Sequence, residues 1–405
     1  MRIAMLSVHS CPVGTLGAKD TGGMSVYIRE LARALGTQGH QVDIYTRVHD
    51  PNDPQIITLG SNTRLIHLAA GGSEAMHKLA LYPHLPDFAC NLERYRSQHD
   101  LHYDLLFNHY WLSARVGEYL QQWWQVPDID MFHTLGAVKN TFAIGTDEPD
   151  LRLETERESA RHCHHIIAAT RQEKEDFRRW YQTPPEKISV IPCGVNLELF
   201  RPLGRDQARQ YLGWSDEKTL LYVGRIDPLK GIEQLIRAMA LFPEDAGTKL
   251  VIIGGDDSSS PEMSRLRSLV QELNQQESVR FLGTVKHEAL PRYYSAADLC
   301  VVPSYYESFG LVALESLACG TPVVATDVGE MKHIIHQGET GYIVPDNSPQ
   351  VLAEKVTLSL AQLPKNPEAA ANIRNSVRRF SWSNIAGEVS TVCHQVLSEY
   401  PAAVS

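Results

Sequence analysis

Short apolar runs of strand length alternate with amphipathic segments along the whole chain, and they do so in two successive series. The first series comprises Arg2–Val8, Gln41–Tyr45, Arg64–Leu68, Asp104–Asn108, Ile129–His133, His165–Ala169 and Lys187–Ile191. The second opens at Leu220–Gly224 and continues through Leu250–Gly254, Val279–Leu282, Leu299–Pro303 and Val323–Thr326. Strands that are apolar on both faces and alternate with helices predict parallel sheets covered by helices on each side. The predicted helices include Met24–Leu35, with Gly36 as its stop signal, then 231–242, 262–275 and 309–319, and finally Trp382–Tyr400. Between the two series, Ile191-Pro192-Cys193-Gly194-Val195-Asn196 and Phe200-Arg201-Pro202 mix breakers with a strand end, which places a hinge there. At 405 residues the chain also exceeds the size at which a single core grows efficiently. The expected fold class is α/β, with two doubly wound Rossmann-like domains at 1–198 and 199–380 and a terminal helical segment at 381–405.

Composition narrows the function. With 43% hydrophobic residues, 21% charged residues and a net charge of -10, the chain has the profile of a soluble globular protein and no positive excess for a polyanion. Nucleic acid is therefore not an expected partner. The apolar start Met1–Val8 is too short for a signal sequence, and no apolar stretch approaches the roughly 20 residues that span a bilayer, so a cytoplasmic location is expected. The seven cysteines are scattered without paired spacing, which predicts reduced thiols. His162-Cys163-His164-His165 invites a metal, but adjacent side chains diverge on any regular element, and a helix end running into a strand accounts for the run.

Ligands of doubly wound sheets bind at the carboxyl ends of strands, so two such domains predict a cleft lined by strand-end loops. After the first strand come Gly14, Gly17 and Asp20-Thr21-Gly22-Gly23, directly before a helix. Paired glycines at a helix start allow backbone N–H groups to approach a phosphate; a tight turn is the plainer alternative, and the dinucleotide fingerprint is absent. In the second series, Arg225 and Lys230 flank the turn of Gly224-Arg225-Ile226-Asp227-Pro228-Leu229-Lys230-Gly231, where they can converge on a diphosphate or stand as solvated charges. The most specific stretch is Pro303–Glu315. Glu307 precedes a predicted helix and Glu315 lies about two turns inside it, while N–H groups around Phe309, Gly310 and Leu311 are placed to receive a phosphate. The alternatives are a dipole-complementing charge for Glu307 and a surface position for Glu315.

Glu307-Ser308-Phe309-Gly310, followed by Glu315 and then Ala318-Cys319-Gly320-Thr321-Pro322-Val323-Val324-Ala325, resembles the donor-site signature of the family-four retaining glycosyltransferases of GT-B architecture. Gly22-Gly23-Met24, His133-Thr134-Leu135, Gly224-Arg225 with Lys230, and Phe380-Ser381-Trp382 resemble the same family in the same order, so the likeness spans nearly the whole chain. It implies that Glu315 binds the donor ribose hydroxyls, Arg225 and Lys230 the diphosphate, and Glu307 the hydroxyls of the transferred sugar. Gly22 and Gly23 would approach the diphosphate through their backbone, His133 would lie beside the transferred sugar, and the helix from Trp382 would cross back to the first domain. Two groups in that family act on phosphorylated acceptors: inositol-phosphate N-acetylglucosaminyltransferases and sucrose-phosphate synthases. Carried over residue by residue, the acceptor-phosphate positions fall on Lys78, Tyr110, Thr134 and Arg152, with Arg157 close by as the alternative to Arg152. Ser25 stands where the inositol-phosphate enzymes carry asparagine. Asp20-Thr21-Gly22-Gly23 and Tyr27–Leu35 look more like the sucrose-phosphate synthases. The resemblance thus implies UDP-glucose as donor and fructose 6-phosphate as acceptor, with inositol phosphate as the other choice.

Retention without an obvious enzymic nucleophile implies a front-face displacement. The leaving diphosphate accepts the acceptor's proton while Arg225 and Lys230 stabilise its growing charge. No metal or cofactor is then required, the nucleotide sugar being a co-substrate. Asp128-Ile129-Asp130 matches a short metal-binding pattern of other transferases, but it opens a strand rather than ending one and reads as structural. The rival classes are a nucleotide-dependent oxidoreductase or epimerase, which would carry the glycine fingerprint, and a two-lobed sugar-binding protein without catalysis.

Overall fold

A computed structural model describes residues 1–14, 21–72, 74, 76–144, 147–243, 247–255, 260–363 and 366–400. The chain divides into two compact units. One contains Met1–Gly14, Gly23–Cys193 and the segment from Trp382; the other contains Gly194–Ser381 together with the segment that ends at Gly22.

The first unit is built on eight strands: β1 (Arg2–Leu6), β2 (Gln41–Arg47), β3 (Ile56–Gly60), β4 (Thr63–Leu68), β5 (Leu105–His109), β6 (Asp128–Met131), β7 (His165–Ala168) and β8 (Ile188–Val190). They are ordered β3-β4-β2-β1-β5-β6-β7-β8. Every pair is parallel except β3 with β4, which is antiparallel. The purely parallel sheet expected from the sequence is therefore corrected at this edge. β3 is buried only at Leu59, with Ile56 42% exposed, so it lacks the continuous apolar signal that marks the inner strands. β1 lies at the centre, with Ile3, Ala4, Met5 and Leu6 wholly buried, and the chain order reverses across it between β2 and β5. The loops after β1 and β5 therefore meet at the topological switch point, where ligands of such sheets bind.

Two local expectations fail for physical reasons. Helix Gly23–Thr37 runs through Gly36 rather than stopping at it, and the left-handed turn comes at Gly39 (φ 92°). Gly36 answers to packing, because a Cβ there would sit 2.2 Å from Thr63 Oγ1 and 2.3 Å from Ser61 O. β6 ends at Met131, so His133 lies beyond the strand with φ 61°, a backbone that non-glycine residues rarely adopt. Helix Asp150–His162 does run into β7 through Cys163 and His164. Helix Trp382–Glu399 completes this unit. Trp382 meets Tyr27 edge-on at 5.3 Å, Gln38 donates to Ser383 O at 2.8 Å, and the His40 ring bonds Ser390 Oγ at 2.9 Å.

Among the described residues, the second unit has six strands, all parallel: β9 (Lys218–Val223), β10 (Thr248–Ile253), β11 (Val279–Gly283), β12 (Leu299–Val302), β13 (Val323–Thr326) and β14 (Gly341–Val344). Their order is β11-β10-β9-β12-β13-β14, which puts the switch point between β9 and β12. The short edge strand β14, with two of its four residues half-buried, has no counterpart among the predicted strands. Among the described residues, no helix is long and apolar enough to cross a membrane.

A backbone bond joins the loops after β9 and β12, Tyr305 N donating to Leu229 O at 2.8 Å, and the side chain of Asn347, after β14, donates through Nδ2 to Pro303 O at 2.8 Å. Gly231 makes this approach possible: at φ 66°, a Cβ would lie 2.0 Å from Pro303 O. Gly231→Ala is accordingly expected to lower the unfolding free energy of the second unit by about 2 kcal/mol or more, combining left-handed strain with a backbone clash. Urea denaturation followed by tryptophan fluorescence, Trp214 being in this unit, checks this.

Candidate active site

In the second unit, the loop after β9 is shaped by Asp227, whose carboxylate accepts from Leu229 N at 3.0 Å and starts the short turn Pro228–Lys230. Arg225 is half exposed, held only loosely by Asp227 at 3.4 Å. Gly22 belongs to this unit, and a Cβ on it would lie 3.9 Å from Arg225 Cδ. Lys230 crosses to the β12 loop and pairs with Glu307 at 2.7 Å. Ser304 donates to the same carboxylate oxygen, Oε1, at 2.8 Å. Among the described residues, Glu307 Oε2 has no partner, and it is not sealed from solvent, so one face of this carboxylate is fixed and the other is open to a hydroxyl.

Phe309 is buried, and Gly310, at φ 120°, caps helix Leu311–Ala318 without any side chain closing its first turn. The Leu311 and Val312 N–H groups at its start have no partner within the helix, and the helix dipole adds partial positive charge there. Glu315 is 7% exposed, which excludes the surface position considered from sequence. Its Oε1 is bonded to His287 Nε2 and its Oε2 to Tyr294 OH, each at 2.9 Å. These two partners hold the carboxylate rigid and leave each oxygen a further lone pair for a ligand hydroxyl.

In the first unit, Lys78, Tyr110, Thr134 and Arg152 come together from four separate segments. Tyr110 follows β5 at φ 77° and ψ 157°, a backbone region that is nearly glycine-only and costs of order 1–3 kcal/mol. Its hydroxyl accepts from Lys78 Nζ at 3.3 Å, and the Arg152 guanidinium stands over its ring at 4.9 Å. Arg152 Nη2 donates to Thr134 O at 2.8 Å and to Thr134 Oγ1 at 3.1 Å. Arg152 is 1% exposed and flanked by Glu156 on Nε at 2.6 Å and Glu148 near Nη1 at 2.9 Å. The Glu148 contact is off the hydrogen-bonding line, leaving Nη1 with an ion pair but no directed bond. Burial pushes the Glu148 carboxyl up, but Arg152 and Lys139 outweigh it and hold it at about 2. Lys78 differs in that, among the described residues, no carboxylate lies within 4.0 Å of its ammonium.

His133 follows β6 in this unit and is 9% exposed. Its Nε2 bonds His109 Nδ1 at 3.0 Å, and Tyr27 meets both rings edge-on. His109 Nε2 is buried and, among the described residues, has no partner. An orphaned buried N–H is rarer than an orphaned acceptor, so the favoured arrangement has His109 Nδ1–H donating to His133 Nε2. His133 then presents Nδ1–H as its one free donor. Burial pushes His133 down to about 3; burial and then His133 push His109 well below its usual range, so both rings are neutral near pH 7.

Sequence reasoning passed over His287, Tyr294 and Ser304, which fix the two motif glutamates, and Glu148, Glu156 and His109, which fix Arg152 and His133. Only Glu148-Arg152-Glu156 left a signal, a spacing of four residues. Asp128 and Asp130 are buried at the start of β6, where they bond His164 and Asn108. Gly23 opens helix Gly23–Thr37. Gly17 and Asp20 lie outside the described residues.

Comparison with known proteins gives the same assignment from both halves. The family description "Glycosyltransferase Family 4" matches residues 21–199, and "Glycosyl transferases group 1" matches residues 204–379. A D-inositol 3-phosphate glycosyltransferase of Corynebacterium glutamicum is 35% identical over 98% of this chain and 97% of its own. One from Thermomonospora curvata is 38% identical over 94% of this chain and 92% of its own. A solved sucrose-phosphate synthase from Thermosynechococcus elongatus superposes with a TM-score of 0.89 at 37% identity, covering 98% of this chain and 99% of that one.

The buried neutral histidines carry a pH signature. The folded-state pKa of His109 lies below its ordinary value of 6.5, so the unfolded chain binds an extra proton as pH falls below 6.5. Stability from this group is complete above pH 6.5 and is lost as pH falls toward the folded value. His109→Gln is expected to flatten the fall in unfolding free energy between pH 6.5 and 5 by up to about 1.4 kcal/mol per pH unit. Urea titrations of both proteins across that range measure the difference.

Proposed function

We propose the reaction from one premise: the chain belongs to the family 4 glycosyltransferases of GT-B architecture, and is a nucleotide-sugar-dependent transferase. The reading best supported is transfer of glucose from UDP-glucose to the hydroxyl of fructose 6-phosphate with retention of configuration. The observation that carries it is the cluster of Lys78, Tyr110, Thr134 and Arg152 in the first unit. Two cations, a phenol and a threonine hydroxyl make a cradle for a phosphomonoester. Fructose 6-phosphate is favoured by the Thermosynechococcus sucrose-phosphate synthase and by Ser25, which is wholly buried and bonded to Ser10 Oγ at 2.8 Å, so its hydroxyl does not face an acceptor. D-inositol 3-phosphate is the second reading, favoured by the named Corynebacterium and Thermomonospora relatives.

On the donor, Glu315 takes the ribose hydroxyls through the lone pairs that His287 and Tyr294 leave, and Glu307 takes a sugar hydroxyl on Oε2. Arg225, Lys230, the backbone of Gly22, and the N–H groups of Phe309, Gly310 and Leu311 bind the diphosphate. In the first unit, His133 Nδ1–H is the donor available to a sugar hydroxyl. As the anomeric C–O bond to the diphosphate breaks, charge grows on the leaving group, and the acceptor hydroxyl attacks from the same face while its proton passes to that leaving group. The cations are worth most at this point, so no divalent ion is needed.

Incubation with UDP- and ADP-sugars, with fructose 6-phosphate, fructose or D-inositol 3-phosphate, and mass analysis of products tests the reading. Sucrose phosphate formed only from UDP-glucose and fructose 6-phosphate, in the presence of excess chelator, supports it. A product only with inositol phosphate moves the assignment to the second reading, and a strict need for added divalent ion removes the metal-free mechanism. Arg225→Ala is expected to lower kcat by about 100-fold or more while raising the donor KM far less, because its contact strengthens in the transition state; steady-state kinetics separate the two. Lys78→Ala is expected to raise the acceptor KM by roughly 10-fold or more, the loss of one charge-assisted contact, with the donor KM unchanged.

A further inference from the structure

Tyr222 is the penultimate residue of β9, and its ring is buried in the core of the second unit with Leu220, Ile232 and Leu235. A tyrosine is a costly filler for such a place, because a buried hydroxyl must find a partner. The partner lies three residues along the same chain: Tyr222 OH donates to Arg225 O at 3.0 Å. Burial first, and then Glu307 and Asp227, push the phenol well above its usual range, so it keeps its proton and stays a donor.

The bond spans the point where the strand gives way to the loop. Gly224 N donates to Ile253 O at 3.0 Å, and a Cβ on Gly224 would lie 2.7 Å from the Tyr222 hydroxyl, so the hydroxyl occupies room that only a glycine leaves. A Cβ on Gly254 would lie 1.7 Å from Gly224 O, so the loop after β10 closes on the same peptide. Beyond Arg225, Asp227 starts the next turn through Leu229 N. The Arg225 backbone is therefore pinned at its own carbonyl and again two residues on. Its guanidinium, by contrast, is half exposed and meets Asp227 at 3.4 Å. A side chain so loosely held takes its direction from the backbone that carries it.

We propose that Tyr222 is a positioning residue for Arg225, its hydroxyl fixing the peptide from which the guanidinium reaches the leaving diphosphate. This rests on the reading of Arg225 above and adds a residue that touches no substrate. Small misplacements of a group that stabilises a transition state cost far more in turnover than in binding, so the loss of this one hydroxyl falls on kcat.

Steady-state kinetics of the full chain test it, with UDP-glucose and fructose 6-phosphate, or with D-inositol 3-phosphate as acceptor if the second reading holds. Tyr222→Phe, which keeps the ring in the core, is expected to lower kcat by about 10-fold with the donor KM nearly unchanged. Added to Arg225→Ala it should lower kcat no further, because the hydroxyl acts only through Arg225. Gly224→Ala, which crowds the hydroxyl without removing it, should show the same split, and it decides the matter if Tyr222→Phe does not fold in urea titrations. Tyr222→Phe with wild-type kcat, or with a loss that multiplies in full onto that of Arg225→Ala, overturns the assignment of Tyr222 alone. Arg225→Ala with wild-type kcat, or a wild-type chain without turnover on either acceptor, overturns the reading of Arg225 and this inference with it.

Discussion

A guanidinium buried to 1% exposure can remain charged only if the fold supplies its counter-charges, and the neighbourhood of Arg152 follows from that requirement. Glu156 takes Nε and in turn accepts from Gly136 N at 2.9 Å and from Tyr181 OH, while Glu148 takes the other side and is itself balanced by Lys139. What remains of the guanidinium is Nη2, aimed at Thr134, and a face lying over Tyr110. The buried ion cluster thereby fixes the turn after β6, which carries His133, to the strained residue after β5. Cutting Arg152 would leave the buried Glu156 carboxylate without a counter-charge, so its loss would be structural before it was functional. Lys78 is the cleaner probe of charge at this place.

The second unit solves a similar problem with less burial. Lys230 and Glu307 lie in loops after different strands, and their ion pair joins these across the switch point. Ser304 locks one oxygen of Glu307, and His287 with Tyr294 hold both oxygens of Glu315. Arg152, Glu307 and Glu315 are thus oriented by a shell of neighbours before any ligand arrives. Such preorganisation is what lets charge in a site act on a transition state without reorganisation cost.

Much of this was legible beforehand, and the exceptions have causes. The central strands announce themselves because both faces are buried, as in Ile3–Leu6 and Leu220–Tyr222. β3 and β14 lie at sheet edges, where half-exposure removes that pattern. Gly36 was misread because a glycine required by close packing against Thr63 looks, in sequence, like one required by a turn. The motif glutamates and the cations were visible as residues, but their partners were not, since His287 and Tyr294 reach Glu315 from 28 and 21 positions away.

The central claim is that the first unit binds its acceptor by a phosphate seated on the Tyr110 platform. A crystal structure of the full chain with UDP and fructose 6-phosphate tests it most directly. The account predicts phosphate density within hydrogen-bonding distance of Lys78 Nζ, Tyr110 OH and Arg152. Fructose 6-phosphate bound with its phosphate in open solvent, or seated elsewhere in the first unit, would contradict it.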